Sequence, residues 1–157
     1  MKNKILKAID DYNMLPANAY VVVGVSGGAD SMALLHFLNS IKNNRKLNII
    51  AVHINHCLRG DESLRDENFV RDYCKKQNMK CEVLVIDVKK IATQEKTGTE
   101  ECARNIRYDF FSKIANKYNA KIATAHTLSD SFETILFNLA RGTGINGLCG
   151  IPAVRHN

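Results

Sequence analysis

The apolar positions along the chain alternate between two periods. Residues 19–25 form a continuous, largely β-branched apolar run bounded by Asn18 and by Ser26-Gly27-Gly28, which predicts a fully buried strand. Leu34, Phe37, Leu38 and Ile41 follow at helical spacing, one face turned to a sheet. Residues 47–54 read as a second buried strand, and 61–78 as a charged helix with Leu64, Phe69, Val70 and Tyr73 on its apolar side. Residues 81–88 make a third strand, while 89–98 show no period and read as a connection. Thr97 with Glu100 marks the next helix start, whose buried stripe is Ala103, Ile106, Phe110, Ile114 and Tyr118. Residues 121–125 are a fourth strand, and Phe132, Ile135, Leu136 and Leu139 the buried side of a last helix. Strands alternating with helices predict an α/β fold with right-handed crossovers and a mostly parallel sheet.

Composition narrows the class. The 157 residues are 45% hydrophobic and 24% charged, enough for one core, and no apolar stretch approaches the roughly 20 residues a membrane helix needs. The Lys-bearing start lacks the apolar core of a signal peptide, so the expectation is a cytoplasmic protein with no membrane partner. Cys57, Cys74, Cys81, Cys102 and Cys149 are odd in number and include no CxxC, which predicts free buried thiols and no disulfide scaffold or structural zinc site. A formal net charge of +6 is compatible with an RNA partner and does not identify one.

The sharpest local feature is VVVGVSGGADS at 21–31, where a buried strand runs into Ser26-Gly27-Gly28 and a helix starts near Asp30. Such a junction offers glycine backbone and unpaired helix N–H groups to a phosphate, with Ser26 and Ser31 as added hydroxyls. It lacks the Gly-Lys-Ser/Thr of Walker A and the glycine spacing of a dinucleotide fold. Asp30 suits Mg2+ or a ligand amine; a plain tight turn with Asp30 as helix cap is the alternative. The second strand delivers His53, Asn55 and His56, then Cys57 and Arg59, a set suited to polar or nucleotide contacts more than to a metal. On the last helix Asp130 and Glu133 stand three apart, on one face opposite Phe132 and Ile135, after His126. Gly142, Gly144, Gly147 and Gly150 crowd the segment that follows.

These residues resemble a known family. SGGADS at 26–31 is similar to the signature of the PP-loop ATP pyrophosphatases, and four more stretches resemble their tRNA(Ile)-lysidine synthetase branch: VHINHCLRGDES (52–63), EECARNIRYDFF (100–111), IATAHTLSDSFET (122–134) and LARGTGINGLCGIP (139–152). The resemblance implies a three-layer α/β/α fold of PP-loop ATPase type, with 1–157 as the adenylation domain of a longer enzyme that continues into a tRNA-gripping region. It implies ATP and Mg2+ as cofactors and, as partners, free L-lysine and tRNA(Ile) with a CAU anticodon, with a homodimer as an available state. The implied reaction joins lysine to C2 of the wobble cytidine through an adenylated base, releasing pyrophosphate and AMP. Carried over by position, Ser26, Gly27, Gly28, Asp30 and Ser31 would hold ATP phosphates; Val52 and His53 would border adenine or ribose; Arg141 and Gly142 would close over the site. Arg104 and Arg107 would face phosphate or the activated base, and His126, Asp130 and Glu133 would shape the lysine and base pocket, Asp30 and Asp130 serving the metal.

One departure concerns chemistry. Where the family usually reads His-x-x-Asp-Asp-Gln-x-Glu-Thr, this chain has Ser129 and Ser131 in place of the first Asp and the Gln, while Asp130 and Glu133 remain. Two other readings stay open at this point: another PP-loop tRNA modification such as thiolation, and a nucleotide- or tRNA-binding module without turnover.

Overall fold

A computed structural model describes residues 2–155. Leu15–Thr124 forms one unit, and Met1–Met14 with Ala125–Asn157 the other. In the first unit β1 (Tyr20–Gly24), β2 (Asn48–Asn55), β3 (Lys80–Val85) and β4 (Lys121–Thr124) make an all-parallel sheet in the order β3-β2-β1-β4. The chain steps outward from β1 to β3 and then returns to the far side of β1, so the strand order reverses at β1 and β4. In such sheets ligands sit at the carboxyl ends of the strands beside that reversal.

Direction of travel also sorts the helices. Right-handed crossovers place α2 (Ala29–Arg45) and α3 (Asp61–Lys76) on one face, where His36 meets the Tyr73 hydroxyl at 3.2 Å and Asn39 bonds Gln77 at 3.0 Å. The return connection carries α4 (Val88–Glu95) and α5 (Thr99–Tyr118), and α5 covers the opposite face. There Phe111 and Ile114 pack with Val22, Ile50, Val52 and Ile54. The central strands β1 and β2 are buried on both sides, which explains their apolar runs, whereas the edge strands β3 and β4 are only partly buried. Gly24 stands where β1 passes α5: a Cβ at that position would lie 2.5 Å from Phe111 Cζ.

Several expectations change. Residues 88–95 form a helix because the Asp87 carboxylate accepts from the Lys90 N–H at 3.1 Å, and the helix is too short to show a period. The cap of α5 is Gly98, without a side-chain bond, in place of Thr97. On α3 the buried positions are Glu67, Val70 and Cys74, whereas Leu64 and Phe69 are exposed. Leu35 and Phe111 join the core that the spacing assigned to their neighbours. All five cysteines are free, yet Cys57 and Cys149 lie in turns and are exposed, contrary to the expectation of burial.

The second unit holds α1 (Lys2–Asp11), α6 (Leu128–Ala140) and a 3-10 turn at Ile145–Cys149. Among its described residues it has no strand, so α6 has no sheet of its own unit to pack on, and Phe132, Leu136 and Leu139, expected to be buried, are exposed. Its tie to the glycine-rich segment runs through Ser131, whose hydroxyl accepts from the Ile151 N–H at 3.1 Å, close against Gly150. Gly150 has φ +66 and leaves no room for a Cβ beside that hydroxyl, so Ser131 has a local structural task. No helix among the described residues is long and apolar enough to cross a membrane.

Candidate functional site

Between β1 and α2 the chain makes the turn that the glycines foreshadow. Gly27 has φ +91, a region L side chains rarely adopt, and a Cβ there would come within 3.0 Å of Asp66 Cβ on α3. Gly28 differs: it is extended, with φ −74 and ψ 160, and a Cβ would meet only Ser26 Oγ at 3.4 Å. The two serines brace the turn. Ser31 Oγ donates to the Gly28 carbonyl at 2.9 Å and accepts from the Ser26 N–H at 3.1 Å, while Ser26 Oγ accepts from the Gly28 N–H at 3.2 Å. Ala29, Asp30 and Ser31 open α2, so their N–H groups have no intrahelical acceptor and point toward the crest. Asp30 is exposed and makes no cap, which removes the plain-cap reading.

A buried polar network lies under this crest. His53 is 3% exposed and bonds the Val25 carbonyl through Nδ1 at 2.8 Å, leaving Nε2 buried without a partner. The imidazole thus holds the strand exit just before the loop. Val52 points the other way into the core, fully buried, and its carbonyl accepts from the Val25 N–H at 2.9 Å. Asn55 donates to Glu67 at 2.9 Å and accepts from the Cys57 N–H at 3.0 Å, and Glu67 also takes Arg71 Nε at 2.9 Å. The Asn55 hydrogen bond, then the Arg71 contacts, outweigh burial and hold the Glu67 carboxyl below its ordinary value. Arg59 pairs with Asp66 at 3.1 Å, so α3 is fastened to the loop that follows β2. Glu67 and Arg71 escaped sequence reasoning; a Glu at i−3 of Val70 and i−7 of Cys74, inside a buried stripe, was the available signal.

On α5 both arginines are exposed. Arg104 lies over the Tyr108 ring, 5.4 Å from its centre. Arg107 forms no ion pair with Asp109 or Glu101 and acts instead on His56. Burial, then the Arg107 charge, pull the His56 imidazole below its ordinary value, which keeps it neutral at pH 7.

The second unit carries the remaining candidates. Thr127 and Asp130 form a capping box: Asp130 Oδ2 accepts from the Thr127 N–H at 2.6 Å and from its hydroxyl at 3.0 Å, and Thr127 Oγ1 accepts from the Asp130 N–H at 3.2 Å. The Thr127 N–H, then its hydroxyl, hold the Asp130 carboxyl below its ordinary value. Glu133 lines a shallow groove with Leu128, Ser129, Ser131, Phe132 and Ile135. His126 is exposed, and its charge acts on Asp130. At the helix end Arg141 lies 3.9 Å from the centre of the Phe137 ring, and Gly142 has φ +74. Among the described residues no three His, Cys, Asp or Glu side chains group as metal ligands. The donors are oxygens on isolated carboxylates, a set that fits Mg2+ completing its shell with phosphate and water.

The sequence is 49% identical over 154 residues to the tRNA(Ile)-lysidine synthase of Clostridium tetani, covering 98% of this chain and 33% of that protein. The Bacillus subtilis tRNA(Ile)-lysidine synthase is 41% identical over 155 residues, covering 96% and 33%. The chain therefore spans about a third of the length of the curated relatives it matches. Among solved structures, the U34-tRNA thiolase NcsA from Methanococcus maripaludis, described with its [4Fe-4S] cluster, superposes with a TM-score of 0.77 at 20% identity, over 92% of this chain and 50% of that one. That likeness shows the three-layer α/β/α fold. The match to the PP-loop domain family runs over residues 1–157, through the serine-braced turn, the crest network and α6, and the chain belongs to that family.

Proposed function

We propose that this chain is the adenylation domain of an enzyme that performs ATP-dependent ligation of lysine to C2 of the wobble cytidine of tRNA(Ile), forming lysidine. The observation that carries the reading is the Ser26–Ser31 turn, in a chain 49% identical to a lysidine synthase. The thiolation alternative rests on a fold likeness at 20% identity and has no CxxC pair to support it.

In this reading the cytosine O2 attacks the α-phosphorus of ATP and pyrophosphate leaves. The lysine amine then attacks C2 and AMP leaves. The N–H groups of Ala29, Asp30 and Ser31 take the charge that grows on the leaving pyrophosphate, in a frame the two serine hydroxyls have already rigidified. Val52 and His53 act from beneath the nucleotide, as the backing of the strand exit. Arg104 and Arg107 meet phosphate or the activated base, and Arg141 and Gly142 serve in binding ATP. Asp30 and Asp130 are the carboxylates that would hold Mg2+, and the ion would supply positive charge against the phosphates. Asp130 has Oδ1 for this task, since Oδ2 is spent on the capping box.

Glu133 and Asp130 bind the lysine ammonium. A carboxylate favours that charged form, so the proton leaves late, to Glu133, to His126 or to a leaving oxygen, as the amine meets C2. A homodimer in the cytoplasm belongs to the same reading, with light scattering as its check. The test is a split assay with tRNA(Ile) transcript: pyrophosphate release without lysine, and AMP and lysidine formation with it. Asp30→Ala abolishes the first signal while circular dichroism stays unchanged, because Asp30 is exposed. AMP formation driven by a sulfur donor or ammonia, and indifferent to lysine, overturns the reading.

A further inference from the structure

Parallel strands force each intervening helix to run back, and here the returns are short. Helix α2 ends at Arg45 and β2 begins at Asn48, α3 ends at Lys76 and β3 begins at Lys80, α5 ends at Tyr118 and β4 begins at Lys121. The helix C-termini therefore share one end of the sheet with the strand starts, opposite the Ser26–Ser31 crest. Taken from each last helical turn through the third strand residue, residues 42–50, 73–82 and 115–123 hold eight Lys or Arg against Glu82 alone. That local excess of seven is larger than the +6 of the whole chain, so the rest of the molecule is slightly negative.

Helix dipoles explain part of this. Cations in a last helical turn stabilise the helix, which accounts for Lys42, Arg45, Lys75, Lys76 and Lys117. Lys80 and Lys121 begin strands and gain nothing from a helix end. An aromatic pair stands among them: the Tyr20 and Tyr118 rings stack at 6.0 Å with an interplanar angle of 18°. Lys80 Nζ lies 4.6 Å and Lys117 Nζ 5.4 Å from the Tyr118 ring centre, and Lys80 also bonds the Tyr118 hydroxyl. Tyr20 remains 42% exposed.

We infer that this end of the sheet is a second RNA-binding surface, on which lysines including Lys46, Lys75, Lys76, Lys80, Lys117 and Lys121 hold phosphates and Tyr20 stacks on an unpaired base. The inference rests on the tRNA reading above in taking RNA as the occupant. Lysines flanking stacked aromatic rings suit a polyanion that carries flat bases, which an acidic protein or a phospholipid headgroup does not. It separates two tasks: the crest, poor in net positive charge, handles one base and a nucleotide, while the opposite end supplies the long-range attraction for a polyanion.

The test uses the whole chain, a tRNA transcript and a single-stranded uridine oligonucleotide, with binding measured across a salt series. A variant with Lys46, Lys75, Lys76 and Lys117 each changed to Gln leaves the Lys80–Tyr118 bond in place. With four phosphate contacts gone, the slope of log K against log salt falls by about 3. ATP binding to the same variant is unchanged, and Tyr20→Leu weakens oligonucleotide binding about fivefold or more without altering the slope. An unchanged slope in the lysine variant, with Arg104→Gln/Arg107→Gln removing it instead, overturns this inference and leaves the proposed function standing. Equal competition by polyglutamate overturns RNA as the occupant. Absence of any RNA binding by the wild-type chain overturns both this inference and the tRNA part of the functional reading.

Discussion

Gly27 and Gly28 are adjacent and identical in chemistry, yet alanine has unequal consequences at the two positions. At Gly27, φ is +91, and holding an L residue at positive φ costs about 1–2 kcal/mol. The new Cβ also stands 3.0 Å from Asp66 Cβ, 3.4 Å from Cγ and 3.5 Å from the Asp66 Cα, none of which is the free end of a flexible chain. Asp66 is held by Arg59 and belongs to a helix tied to Asn55 through Glu67, so α3 resists moving aside. Crowding of this kind adds about 1–3 kcal/mol, and the two effects together give about 2–4 kcal/mol once the loop relaxes. Gly28 already has a backbone any residue adopts, and its Cβ meets Ser26 Oγ at an ordinary 3.4 Å. There the lost freedom of the unfolded chain offsets the contact, and Gly28→Ala changes stability by less than about 1 kcal/mol. Urea unfolding reads the difference: with a slope of about 1–3 kcal/mol per M, Gly27→Ala lowers the midpoint by about 1 M or more, and Gly28→Ala leaves it nearly in place. Nucleotide binding separates the second effect, since the Gly28→Ala methyl stands at the open crest and weakens ATP binding in a protein of normal stability. Equal midpoints for the two variants would show that the turn is not strained at Gly27 and that α3 does not press on it.

Glu67 has a carboxyl held below its ordinary value of 4.5, so its stabilising contribution is complete above that value and is lost as pH falls through the depressed one. Glu67→Gln therefore lowers the urea midpoint at pH 7, and the gap between the two proteins narrows as pH falls below 4.5; a constant gap refutes the ionic part. Thr127→Ala removes the cap of α6 and costs that helix about 1 kcal/mol, read as earlier amide exchange over residues 128–134 with Leu15–Thr124 unaffected. Glu133→Gln raises the lysine concentration needed for lysidine formation while pyrophosphate release without lysine persists. Loss of that release in Glu133→Gln, with lysine dependence intact, reassigns the residue to metal or nucleotide.

Much of the first unit was legible in the chain itself because its signals are local. A strand buried on both faces must be apolar throughout, so residues 20–24 and 48–55 declared themselves, and a strand that enters a helix through Ser26-Gly27-Gly28 leaves the phosphate-facing N–H groups as the natural consequence. Parallel order followed from strand–helix alternation. What tertiary structure decided were the facts that need two distant segments. Spacing named Leu64 and Phe69 as the buried side of α3, but the helix rotates to deliver Glu67 to Asn55, because a buried carboxylate with two partners is satisfied where an exposed one offers nothing to the crest. Sequence placed Val52 and His53 together at a ligand, whereas the alternation of β2 sends Val52 into the core and His53 behind the loop. Helical spacing put Asp130 and Glu133 on one face, but it took the Thr127 bonds to show that one carboxylate caps α6 while the other opens to a groove. The basic end of the sheet was invisible in the linear count of charge, since its lysines come from three separated stretches that only the parallel fold gathers.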